Sequence, residues 1–554
     1  MNNYSKYAKG YFMPPVSSLK WTQKEYITEA PTWCSVDLRD GNQALIVPMN
    51  LEEKLEYFQM LVKIGFKEIE VGFPAASETE FTFLRTLIEQ DLIPDDVTIQ
   101  VLTQSREHII RKTFESLKGA KKAVVHLYNS TSVAQREQVF RKSKEEIINI
   151  ATTGAKLLKQ CAEETEGNFQ FQYSPESFTG TEIEFALEIC NAVLDEWKPM
   201  SDNKVIINLP ATVSMSMPHV YASQIEYMSD HLKYRENVIV SLHPHNDRGT
   251  GVADAELGML AGGQRVEGTL FGNGERTGNV DIITLALNMY SHGVNPQLDL
   301  HNLPEILAVY EKLTKMKVSE RHPYAGELVF TAFSGSHQDA IAKGMKWREE
   351  EEREFWSVPY LPIDPLDIGR QYEGDIIRIN SQSGKGGIGY LLHQKYGLDL
   401  PQQMREGFGY VVKNISDRLN KEIMIEEIRE IFMQEYVNIS SPLKFINYQF
   451  THHDDYQTVV KVSVNDEEKE LTGNGEGRLD AISNALQSDL GLTFSNLIYK
   501  EHALEVGSKS QAVTYIGITA NDGSSYWGCG IHADIMTSSV KALFSAINKM
   551  ISEN

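Results

Sequence analysis

The sequence predicts an α/β fold: a closed (β/α)8 barrel of the TIM type, then a linker with small subdomains, then an α+β domain with an internal pseudo-repeat. Eight short β-rich runs recur at intervals of roughly 33 residues, the repeat length of βα units. Stretches with helical spacing separate the runs. Side chains with catalytic chemistry gather where the runs end, which is the face that carries the loops of such a barrel.

The runs are WCSVDL from Trp33, EIEVGF from Glu68, VTIQVL from Val97, KAVVHLY from Lys122, FQFQYS from Phe169, KVIINL from Lys204, NVIVSL from Asn237 and RVEGTLF from Arg265. Between the first two, NLEEKLEYFQMLVKIG has helical apolar spacing, with Asn50 able to cap its start and Gly65 able to end it in a left-handed turn. Alternation of strand and helix indicates a parallel sheet, and eight units favour closure over an open doubly wound sheet.

The strand ends supply a specific set of groups. Arg39, Asp40 and Gln43 follow the first run, His126 the fourth, Glu176 the fifth and Thr212 the sixth; HPHND follows the seventh, and FGNGERTGN, with Glu275 and Asn279, the eighth. His243 and His245 stand at i and i+2 of an extended segment, so both rings point the same way, roughly 6.6 Å apart along the chain. Such a pair alone is weak evidence, because satisfied loop histidines are commoner. Asp40 completes a set of two imidazoles and one carboxylate, which suits a divalent ion and can leave positions open for substrate. Asn279 can add an oxygen or orient a water. The donor set admits Mg2+, Mn2+ and Zn2+.

Composition narrows the setting. At 554 residues the chain suggests about two to four domains. With 41% hydrophobic and 23% charged residues, it has an ordinary globular composition. A net charge of −23 opposes a polyanion and argues against nucleic acid. Cys34, Cys161, Cys190 and Cys529 form no CxxC pair, which points away from a disulfide framework and a thiolate zinc site and toward a reducing cytoplasm. The start has no apolar signal region, and no long uncharged apolar window appears, so no membrane span is expected. FGNGERTG follows a late strand and lacks the acid of a dinucleotide fingerprint, and SQSGKGG at 381–387 lacks the Walker spacing. Neither is given a phosphate role.

Past the barrel the strand rhythm is lost. The acidic EEEEREF reads as a solvated helix face. TVVKVSV then alternates like a strand, and LTGNGEGRLDAISNALQ reads as a glycine loop opening a helix; AVTYIGIT and GCGIHADIMTSSVKALFSAINK repeat the plan. The helix N-termini behind the two loops are ready sites for a small carboxylate.

DLRDGNQAL, EVGFPAAS, YSPESFTGTE, NLPATV, LHPHNDRG, LFGNGERTGN and FSGSHQDAI, in that order, resemble the α-isopropylmalate synthase family, the longer bacterial and fungal type. DLRDG alone would indicate only the wider superfamily of metal-dependent lyases and Claisen-type synthases. The resemblance implies condensation of acetyl-CoA with 2-oxoisovalerate and thioester hydrolysis, giving 2-isopropylmalate and CoA in leucine biosynthesis. It implies that Arg39 stabilises the alkoxide, that Glu176 and His337 are the base candidates, and that Tyr360 of VPYLPIDP is a further catalytic residue. His126, Thr212, Gln43 and Glu275 would bind substrate. His337 would reach over the barrel of another subunit, which implies a homodimer. The implied organisation is an N-terminal extension (1–30), a catalytic barrel (31–315), linker and lid subdomains (316–430) and a regulatory domain (431–554) that binds leucine, with Gly473 and Gly475 as candidate contacts. Citramalate and homocitrate synthases, which use other oxo acids, are the alternative, followed by a 3-hydroxyacyl-CoA lyase.

Overall fold

The computed structural model describes residues 4–332, 334–372, 385–419, 423–452, 455–504 and 510–553. Phe333 of FSGSHQDAI and residues 381–384 of SQSGKGG lie outside the described residues. The chain divides into two compact units, Met1–Val329 with Ile363–Arg370, and Phe330–Pro362 with Gln371–Asn554.

The first unit is a closed barrel of eight parallel strands in sequence order, β1 pairing with both β2 and β8. The strands are β1 (Thr32–Ser35), β2 (Glu68–Gly72), β3 (Thr98–Gln104), β4 (Lys122–Ser130), β5 (Asn168–Glu176), β6 (Val205–Ala211), β7 (Val238–Pro244) and β8 (Arg265–Gly268). Helices α1 (Leu51–Ile64), α2 (Glu78–Glu89), α3 (Glu107–Ser116), α4 (Lys144–Glu163), α5 (Ile183–Trp197), α6 (Pro218–His231), α7 (Gly251–Leu260) and α8 (Ile282–Ser291) alternate with them, and α9 (Leu303–Thr314) follows. The local signals act as expected. The Asn50 side chain accepts the Glu53 N–H while the Glu53 carboxylate accepts the Asn50 N–H, and Gly65 ends α1 at φ 109°.

The first and last runs are shorter as strands than expected. The ladder of β1 stops at Ser35, and Asp37–Gly41 winds into a π-helical turn. Buried Asp37 drives this departure, accepting from the Ser35 hydroxyl at 2.7 Å, the Tyr57 hydroxyl at 2.8 Å and the Leu270 N–H at 3.1 Å. One carboxyl thereby ties the ends of β1 and β8 to α1.

The barrel interior departs from the usual layers of branched aliphatics. Glu70, Gln100, Gln172, Asn208, Ser241, Arg265 and Glu267 are all buried there and joined by hydrogen bonds. This polar layer lies beneath the strand ends and supports the groups above it.

The second unit carries helices α10 (Gly335–Glu351), α11 (Lys385–Tyr396), α12 (Gln402–Leu419) and α13 (Ile425–Tyr436). Two antiparallel sheets follow, ordered β11-β10-β9 and β12-β13-β14. Their strands are β9 (Leu443–His452), β10 (Tyr456–Val464), β11 (Glu467–Gly475), β12 (Phe494–Ala503), β13 (Ala512–Ala520) and β14 (Ser525–His532); α14 (Arg478–Leu490) follows the first sheet and α15 (Ile535–Glu553) the second. Leu443, Val460, Leu471, Ile482, Ile516 and Leu543 share one core between the sheets and these helices.

One expectation is corrected here: the glycines of LTGNG form no loop. Gly473 and Gly475 sit in β11, paired with Thr458 and Tyr456. A Cβ at Gly473 would collide with the Ala481 carbonyl and the Ala485 N–H of α14, and one at Gly528 of β14 with Ala542 and Ala546 of α15. Both halves thus use glycine to lay a helix close on a strand. No described helix is long and apolar enough to cross a membrane.

Candidate active site

The π-helical turn after β1 presents Arg39 and Asp40, β7 carries His243, and His245 follows it, bridged to Asn279 beyond β8. Asp40 Oδ2 lies 3.4 Å from His243 Nε2 and 3.6 Å from His245 Nε2. All three residues are buried, and their ligand atoms lie within 4.8 Å of one another. Donors that share one ion at about 2.1 Å with tetrahedral angles stand about 3.4 Å apart, so these separations suit a common cation.

The fit is also chemical. Asp40 Oδ2 and Asn279 Oδ1 are buried and have no hydrogen-bond partner among the described residues. Buried acceptors left unmatched are costly, and a divalent ion would satisfy them. The Asn279 amide N–H donates to the Asn273 carbonyl at 3.0 Å, which fixes the amide and leaves Oδ1 free.

Electrostatics divide the two histidines. Burial works against a charged His243, yet the adjacent Asp40 and Glu267 carboxylates hold it up at about 9. His245 is pushed down to about 4 by burial and by the neighbouring His243 charge. Burial would raise Asp40, but Arg39 and the imidazoles hold it well below the usual carboxylate range. Arg39 also keeps its charge despite burial, pairing with Asp40 at 2.8 Å and Glu70 at 2.6 Å.

A cavity of about 460 Å³ opens above this cluster, and most of the expected residues line it: Arg39, Asp40, Gln43, His126, Glu176, Thr212, His243, His245 and Glu275. Gln43 Nε2 donates to Glu275 Oε1 at 3.3 Å. Glu176 accepts from the Ser130 hydroxyl. Thr212 Oγ1 accepts the Ser177 N–H at 2.9 Å, so its own hydrogen is available to the cavity. His126 differs from the expected picture. It sits inside β4, and both ring nitrogens are engaged, Nδ1 with Glu70 at 3.0 Å and Nε2 with the Ser174 hydroxyl at 2.7 Å.

His337 and Tyr360 belong to the second unit, where their rings stack with centroids 4.0 Å apart. Both are exposed, and Tyr360 has a left-handed backbone at φ 63°. Gly473 and Gly475 lie in the same unit, against α14.

Sequence reasoning missed Tyr128, Ser174, Asn208 and Arg276, which also line the cavity. Arg276 donates to Asp247 at 2.7 Å and to the Thr212 carbonyl, joining the loops after β6, β7 and β8. It missed Glu70 and Glu267 as well. The available signal was an acid or amide set inside a largely apolar strand run, as in EIEVGF, VTIQVL, FQFQYS, KVIINL and RVEGTLF.

This barrel, with a buried triad suited to a divalent metal, is of the HMGL-like class: the HMGL-like family profile matches residues 30–309. The "Alpha-isopropylmalate synthase, post-catalytic domain-like" profile matches 327–393, and the "LeuA allosteric (dimerisation) domain" profile matches 422–551. The 2-isopropylmalate synthase of Desulfitobacterium hafniense (strain Y51) is 74% identical over 554 residues, covering 100% of both chains. Those of Helicobacter hepaticus (strain ATCC 51449 / 3B1) and Acetoanaerobium sticklandii are 63% and 55% identical, each over 99% of this chain and over 100% and 97% of their own. The chain belongs to the 2-isopropylmalate synthase family of leucine-biosynthetic enzymes and carries both the HMGL-like barrel and the LeuA domain.

Proposed function

We propose that this chain condenses acetyl-CoA with 2-oxoisovalerate in the barrel cavity, with Asp40, His243, His245 and Asn279 holding one divalent ion, Mg2+, Mn2+ or Zn2+. The observation that carries the reading is the unpartnered Asp40 oxygen between two imidazoles at the cavity floor. When bound, such an ion supplies Lewis acidity toward a chelated 2-oxo acid.

The chain's own residues would do the rest. Arg39, anchored by Glu70 and Asp40, stabilises negative charge developing on the ketone oxygen. Thr212 donates its hydroxyl to the substrate carboxylate, and Gln43, Glu275 and His126 complete the pocket, His126 acting through or in place of its Ser174 contact. A base, Glu176 or His337, takes a proton from the acetyl methyl as the carbon–carbon bond forms. The ketone oxygen gains a proton, and water then cleaves the thioester to release CoA. His337 and Tyr360 are proposed to act from a second copy of the chain in a homodimer.

Residues 316–430 would serve as linker and lid, and 431–554 as the regulatory domain, with leucine as effector near Gly473 and Gly475. Cys34, Cys161, Cys190 and Cys529 are all free and buried, which suits the reducing cytoplasm we propose as the compartment. Release of CoA with 2-oxoisovalerate, pyruvate and 2-oxoglutarate, assayed in parallel, tests the substrate. Preference for 2-oxoisovalerate is expected, and preference for pyruvate or 2-oxoglutarate would replace the reading with a citramalate or homocitrate synthase.

A further inference from the structure

We propose that Glu267 is a positioning residue that holds the His243 ring in its metal-binding tautomer, an inference that rests on the metal reading above. Glu267 lies in β8 with no exposed surface, at the centre of the polar layer. Four donors and the His243 ring, from five strands, converge on its carboxylate. Oε1 accepts from Gln100 at 3.0 Å, Gln172 at 2.7 Å and Arg265 at 2.8 Å. Oε2 accepts from Asn208 at 3.1 Å and lies 2.6 Å from His243 Nδ1.

A carboxylate offers about four lone-pair sites, so the four amide and guanidinium donors fill them, and the Arg265 charge favours the ionised form, leaving Glu267 no proton of its own. With Glu267 confined to accepting, His243 Nδ1 must carry the hydrogen between them. The lone pair of neutral His243 then lies on Nε2, the nitrogen 3.4 Å from Asp40 Oδ2. A neutral acceptor at the same place would leave Nδ1–H without its charged partner and the ring free to turn or change tautomer.

The surrounding amides support this assignment. Gln172 Oε1 and Asn208 Oδ1 are buried without partners among the described residues, because both side chains turn their N–H groups toward Glu267. Stability alone does not call for such an arrangement, since apolar side chains of similar volume would fill the barrel without burying a charge. Of these five partners, only His243 is also one of the proposed ion ligands.

The test is the Mn2+ affinity of the metal-stripped full-length chain, followed by electron paramagnetic resonance of free Mn2+. Glu267→Gln, nearly isosteric, is compared with the wild type and with Arg136→Leu, which breaks the part-buried, 2.8 Å Arg136–Glu182 pair, a site that includes none of the proposed ligands. The dissociation constant of Glu267→Gln should rise about 10- to 100-fold, as for lost outer-shell partners, while Arg136→Leu melts earlier but binds as the wild type does. A folded Glu267→Gln within twofold of the wild type overturns the proposal and leaves the metal reading standing. Equal weakening in both variants overturns it too, since affinity would then follow stability. A wild type that binds no Mn2+ ends both. Should Glu267→Gln not fold, 15N spectra of histidine-labelled, Zn2+-loaded wild type decide, with His243 assigned through His243→Asn: a protonated Nδ1 and metallated Nε2 support the proposal, and the reverse refutes it.

Discussion

Thr212→Val removes one hydroxyl from the cavity wall and changes little else in shape. Thr212 Oγ1 accepts the Ser177 N–H at 2.9 Å and the residue lines the cavity, so the hydroxyl keeps its own hydrogen to donate to a bound substrate. A hydrogen bond to a charged group contributes about 1.5–3 kcal/mol, more than a neutral one. Lost from the oxo-acid carboxylate, it lowers kcat/KM about 10- to 150-fold at roughly 1.4 kcal/mol per tenfold. The carboxylate takes no part in bond making, so the loss should appear mainly in KM for 2-oxoisovalerate, with kcat and the KM for acetyl-CoA little changed. Thr212→Ser keeps the hydroxyl and should recover most of the loss. Steady-state CoA release over a range of oxo-acid concentrations measures this. Valine within twofold of the wild type, or serine as impaired as valine, would refute the assigned role.

Three further outcomes are expected. Lys54, buried on α1, donates to the Leu38 carbonyl at 3.1 Å and pairs with Glu80; Lys54→Met should cost about 3 kcal/mol, seen as earlier thermal unfolding, and adding Glu80→Gln should recover part of it. Burial pushes Asp37 up to about 7 from an unfolded value of about 3.9, so the folded state binds more protons between those values; its contribution is full below about 4 and is lost as pH rises to about 7. Urea midpoints across that window should therefore fall less steeply in Asp37→Asn than in the wild type. Gly473→Ala places a methyl against the Ala481 carbonyl and should destabilise the C-terminal domain by about 1–3 kcal/mol, read by calorimetry, with Mn2+ affinity of the barrel unchanged.

The barrel was legible because its strands read as short runs rich in β-branched and aromatic residues, and because βα units keep a regular length. The two imidazoles were legible because extended chain fixes the direction of alternate side chains, and their ring centroids stand 5.2 Å apart. Strands β9 and β12 gave no such signal. A register shift opposite β9, between Lys461 and Val462, and another in β12, between Ser495 and Ile498, break the period of two, and β12 is mostly exposed. The glycines of β11 read as a loop in the sequence because glycine permits both a turn and a close helix contact, and only the position of α14 distinguishes them. The polar layer escaped because its partners, such as Gln100 and Glu267, are far apart in sequence and meet only when the barrel closes. His126 was placed at a strand end on spacing, whereas the length of β4 sets it within the strand, where Glu70 and Ser174 occupy its nitrogens.

Anomalous diffraction at the zinc edge, from crystals of the full-length chain loaded with Zn2+, tests the metal centre most directly. One peak per chain is expected, about 2.0–2.2 Å from Asp40 Oδ2 and from the Nε2 atoms of His243 and His245. A peak bound elsewhere, with those three donors unligated, would contradict the account of this site.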